Sequence, residues 1–94
     1  MTKVKKLPST YNVGSYRCRL IKRNTKVALY AISAKNHSQM TYEVFKVRIV
    51  PPSPYVPYPR EKKPSNEEFG VTAWNPLSLE RAEKIYQEIV EGQR

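Results

Sequence analysis

From Thr41 to Val50 the chain reads TYEVFKVRIV, ten residues without glycine or proline that alternate as a half-buried strand does. Phe45, Val47 and Ile49 share one face; Tyr42, Val44, Lys46 and Arg48 share the other. Upstream, Tyr16 to Arg23 repeats the pattern, with Tyr16, Cys18 and Leu20 facing in and Arg17, Arg19, Ile21 and Arg23 facing out. Val27 to Ala34 supplies a third strand. Asn24 and Thr25 are the expected two-residue turn between the first two strands, which sets Arg19 opposite Tyr30 and Leu20 opposite Leu29. The KNHSQ segment at 35–39 turns the chain again, pairing Ala34 with Met40, Ile32 with Tyr42 and Leu29 with Phe45. Both turns then agree that Phe45, Leu29 and Leu20 lie inside and that Tyr30, Tyr42 and the arginines lie outside. Glu43 is the exception. It falls on the inner face, where an unpaired carboxylate is costly, so it is expected at a wet sheet end or rotated outward by a bulge.

Six of the eight prolines lie between Pro51 and Pro64, and proline cannot donate to a ladder, so the sheet is expected to end there in an extended connector. Tyr55 and Tyr58 within it are candidate anchors for an aromatic groove. In the following PSNEEFGVTAW, Phe69, Val71 and Trp74 read as core pieces, and Val71 to Trp74 as a short fourth strand. Leu79, Ala82, Ile85, Tyr86, Ile89 and Val90 recur at helical spacing, with Asn75 or Ser78 as cap and Gly92 as stop. The fold expected is α+β: a three- to four-stranded antiparallel β-meander packed on one C-terminal α-helix. Residues 1–94 form a single domain, with a mobile basic arm over 1–14, the meander over 15–50, a proline-rich connector over 51–65, and the short strand and helix over 66–94.

Charge changes the picture. The chain carries 17 Lys and Arg against 8 Glu, a net of +9 with a pI near 9.9. Residues 1–50 hold eleven of the bases and only one acid, Glu43, so the charge belongs to the strand-rich half. A basic stripe of this kind fits a polyanion or an acidic protein partner. Cys18 and His37 each stand alone, which leaves no disulfide and no zinc ligand set within one chain; no metal or cofactor is expected. The start MTKVKKLPST has no apolar run behind it, and no segment approaches the roughly 20 apolar residues of a membrane span, so a cytoplasmic protein without membrane contact is expected. Glycine-rich phosphate loops and nucleophile–base pairs are absent from the sequence, and no enzyme is expected.

The stretch YEVFKVRI, the segment SNEEFG, Trp74 and the final amphipathic helix together resemble short uncharacterised open reading frames of bacteriophages and mobile elements. The resemblance spans about residues 40–90 and implies such an origin, hence a host-cell cytoplasm. It implies no activity and no functional residues.

The outer sheet face is the candidate site. Arg17, Arg19, Arg23, Lys26, Lys46 and Arg48 are expected there with Tyr30 and Tyr42 among them, cations for phosphates and rings for unpaired bases. This arrangement is similar in outline to small single-strand-binding proteins, a likeness of topology without a shared motif. The function expected is a small basic nucleic-acid-binding protein that contacts DNA or RNA through this face. The alternative is a phage-type inhibitor or adaptor docking on a host protein such as a nucleic-acid enzyme, and an unpaired sheet edge leaves a homodimer open.

Overall fold

The computed structural model describes residues 4–34, 40–64 and 66–94. The expected loop at 35–39 with His37, and Lys3 of the expected arm, lie outside the described residues. The fold is α+β: a five-stranded antiparallel sheet packed against one C-terminal helix. Strands β1 (Thr10–Val13), β2 (Tyr16–Arg23), β3 (Val27–Ala34) and β4 (Met40–Lys46) follow in order as a meander, and β7 (Ala73–Trp74) pairs on the far side of β4. A second, two-stranded sheet joins β5 (Arg48–Val50) to β6 (Arg60–Lys62). Helix α1 covers Leu79–Val90.

The three predicted central strands form, but their register differs. In the β2–β3 turn the Asn24 side-chain oxygen accepts from the backbone N–H of Lys26 and Val27, 2.7 and 2.8 Å, which moves the turn one residue along the chain. That move shifts the pairing beside the turn by two residues, and the register break at Ile21 takes one back, so Arg19 faces Ala31 and Leu20 faces Tyr30. The β3–β4 pairing slips by one as well, putting Leu29 opposite Val44 and Tyr30 opposite Glu43. Because side chains alternate with period two, these two slips leave the faces of β2 and β4 as expected and invert β3 alone.

A register break between Leu20 and Lys22 then bulges β2 at Ile21. Past the bulge, Arg23 turns to the face of Tyr30 and Lys22 joins the face of Arg17 and Arg19.

Neither face of the sheet's centre is open. Val27, Leu29 and Val44 are buried against Ala82, Ile85, Tyr86 and Ile89 of α1, so the helix covers the Tyr42–Val44 face that the alternation had assigned to the exterior. On the reverse face Tyr30, Phe45, Cys18, Ala28 and Ala73 form a second cluster, roofed by Leu7, Tyr11, Leu20, Ile32 and Val47. The physical reason is apolar area. The five largest fully buried side chains divide three to the helix face and two to the reverse, each contributing about 1.5–3 kcal/mol when buried, so both faces demand cover. A continuous apolar run such as VALYAI in β3 is what a strand buried on both sides requires.

The roof of the reverse face comes from segments outside the meander. Lys5 bridges Arg60 in parallel, through Lys5 N–H to the Pro59 carbonyl and Glu61 N–H to the Lys5 carbonyl. Thr10–Val13, inside the stretch expected as an arm, pairs with β2. Ser78, not Asn75, caps α1 by accepting from Arg81 N–H. Of the expected core pieces after the prolines, Trp74 packs on the helix cluster, whereas Val71 is exposed and Phe69 is partly so.

Candidate functional site

The eight expected contact residues divide among four places. Arg17 and Arg19 are exposed on the helix side of β2, beyond the area that α1 covers, and Tyr42 shares that face, half-buried against the helix cluster. Lys26 and Lys46 lie at the opposite end of the sheet, lining a depression of about 380 Å³ beside Ile89, Val90 and Arg94 at the end of α1. Arg48 stands on β5 and pairs with Glu68 at 3.3 Å. Arg23 and Tyr30 are on the reverse face and are not available to a ligand.

Those last two are corrections with clear causes. The bulge at Ile21 aims Arg23 at Glu61, which it grips through two hydrogen bonds of 2.7 and 2.8 Å. Glu61 also accepts from Leu7 N–H at 2.8 Å, and these donors hold its carboxyl below the usual glutamate range. Tyr30 is 0% exposed. Its ring stacks on Phe45 and meets the edge of Tyr11, and its hydroxyl donates to the Pro8 carbonyl at 2.7 Å.

What the structure assembles around Arg17 and Arg19 is a smaller polar surface. Register puts Thr10 and Asn12 of β1 and Ser33 and Ala31 of β3 on the same face, beside a depression of about 330 Å³ lined by both arginines, Ala31, Ser33 and Met40. Lys22 belongs to this face too, its ammonium 4.6 Å from the centre of the Tyr86 ring. No carboxylate forms an ion pair with Arg17, Arg19 or Lys22 among the described residues. The sequence of residues 35–39, KNHSQ, contains no acid either. Lys22 escaped the sequence reading because strict alternation assigned it inward; only the bulge moves it.

The reverse face holds an open cavity of about 580 Å³ near the same end of the sheet. Tyr11, Tyr16, Cys18, Ile32 and Phe69 form apolar walls, and Glu43 and Lys63 are its charged members. Glu43 is half-buried on β4 and forms no hydrogen bond or ion pair with the described residues. Burial pushes its carboxyl pKa up, and the charge of Lys63 opposes that shift. Lys63 itself lies over the Tyr11 ring at 4.2 Å. Burial raises the Cys18 thiol as well, which keeps this sole cysteine in its unreactive protonated form.

Among the described residues no group of His, Cys or Glu could hold a metal ion, and no helix is long and apolar enough to cross a membrane. No family model, curated protein or solved structure matches this chain.

Proposed function

We propose that this chain is a small basic nucleic-acid-binding protein whose phosphate-contacting surface is the part of the sheet that α1 leaves open. The observation that carries the reading is the row of three cations on one face of β2, Arg17, Arg19 and Lys22, with no carboxylate partner among the described residues and with hydroxyl and amide side chains beside the two arginines on the neighbouring strands. Successive same-face positions on a strand stand about 6.7 Å apart, so the row presents a line of positive charge to an extended polyanion. Arg48 and Arg23, each engaged with a glutamate, are left out of the contact set, and Tyr30 makes no contact.

The test is anisotropy of labelled single-stranded DNA, duplex DNA and RNA at about 50 and about 200 mM salt. Three phosphate contacts on a single strand give a slope near −2 in log affinity against log salt. Arg17→Ala with Arg19→Ala lowers affinity on the order of tenfold and flattens that slope by about 1.4. Arg48→Ala leaves both unchanged. Binding to no polynucleotide, or a salt-independent affinity, overturns the reading and turns the search to a protein partner.

A further inference from the structure

The cavity around Glu43 and the cationic row lie on opposite faces of the sheet, yet one continuous surface joins them around its end. The depression at Arg17, Arg19, Ser33 and Met40 shares Arg17 and Ser33 with a second depression of about 640 Å³ that includes Asn12, Ser15 and Tyr16. This second depression in turn shares Tyr16 with the Glu43 cavity. A strand neutralised by Arg19 and Arg17 that follows this surface past Tyr16 arrives at Glu43.

What it meets there is selective. The carboxylate of Glu43 can only accept hydrogen bonds, and among the described residues nothing donates one to it. Tyr16 and Phe69 offer partly exposed rings at the cavity mouth, and a planar base gains by stacking on such rings. Lys63 sets a positive charge beside the carboxyl, which disfavours an organic cation and suits a ligand that is itself neutral and carries an acceptor. Among the bases, only guanine places two N–H donors side by side on its Watson–Crick edge, N1–H and the N2 amino group, with the O6 acceptor next to them. Adenine and cytosine set one amino group beside a ring acceptor, which would oppose the second carboxylate oxygen. Uracil and thymine flank a single N–H with two carbonyls.

We propose that this cavity receives one unpaired guanine of the strand bound along Arg17 and Arg19, with Glu43 accepting from N1–H and the N2 amino group and Lys63 donating to O6. The proposal rests on the nucleic-acid reading above and adds a base preference to it.

The experiment titrates the full chain into a labelled oligothymidylate, the same oligomer with one central deoxyguanosine, and the same with one deoxyinosine, which lacks the N2 amino group. A single guanine tightens binding about tenfold, and inosine recovers only part of that gain. Glu43→Gln, close in shape and free of the charge, brings the guanine oligomer down to the level of the oligothymidylate. Thermal unfolding of Glu43→Gln confirms that the fold is retained. Equal affinity for all three oligomers overturns the guanine assignment while leaving the cationic row in place. A Glu43→Gln variant that weakens every oligomer alike also overturns it, because Glu43 would then act on the fold. Binding to none of the oligomers overturns this inference together with the reading beneath it.

Discussion

Tyr30 and Glu43 face each other across β3 and β4, and each had been given a different role by the alternation of the sequence. Tyr30 is packing: a ring between Phe45 and Tyr11 with its hydroxyl satisfied by Pro8. Tyr30→Phe removes one neutral hydrogen bond and costs about 1 kcal/mol in chemical denaturation, with no effect on oligonucleotide affinity. Glu43 does the reverse. Its folded pKa is raised, so the stability it contributes is present below the unfolded value, near 4.3, and is lost as pH rises through the folded value. At neutral pH its burial therefore works against the fold. Glu43→Gln raises the melting temperature there, and the advantage disappears in acid, where the carboxyl is protonated in both states; thermal unfolding at the two pH values reads the difference. A side chain that costs stability while lining a cavity is what a binding residue looks like.

At the scale of elements, the β2–β3 turn and the bulge behind it decide which residues are available. Asn24 acts through its side chain, capping the N–H groups of Lys26 and Val27 and so fixing the turn, while the bulge at Ile21 sets the register that pairs Arg19 with Ala31 and puts Tyr30 on the opposite face from the arginines. Asn24→Ala leaves both donors without that acceptor and lowers stability by about 1–2 kcal/mol, measured by urea denaturation. The helix was the most legible element, because its stripe and the two candidate caps, Asn75 and Ser78, are local features, and the structure chooses Ser78. Its docking face was not. Tyr42 and Val44 alternate with Glu43 and Phe45, so β4 taken alone has two nearly equal faces, and only the apolar residues of β3 on both sides show that each is covered.

For the whole molecule, Glu61 is the tie between distant segments. It holds Arg23 of β2 and Leu7 of the N-terminal segment from its place on β6, so one carboxylate fastens the second sheet over the Tyr30 cluster. Glu61→Gln leaves Arg23 without its charge partner. The cost is roughly 2 kcal/mol, below the 3–5 kcal/mol of a fully buried pair because Arg23 retains some access to water. The pH sign is opposite to that of Glu43. Its folded pKa is lowered, so its stabilisation is present above the unfolded value near 4.3 and fades as pH falls through the folded value. Acid titration followed by fluorescence shows the variant losing less stability than the parent below that point.

Local pattern alone was enough for the class of fold, the three central strands, the C-terminal helix with its cap narrowed to Asn75 or Ser78, and the concentration of positive charge in the first half of the chain, since each depends on neighbours within one turn or one strand. It also marked Glu43 as a residue out of place. The bulge at Ile21, the one-residue slips that invert β3, the engagement of Arg23 and Arg48, and the cavity that joins Glu43 to Lys63 and Phe69 were decided by tertiary structure. Each brings together residues far apart in the chain, and alternation within a strand fixes which side chains share a face but not which face the rest of the molecule covers.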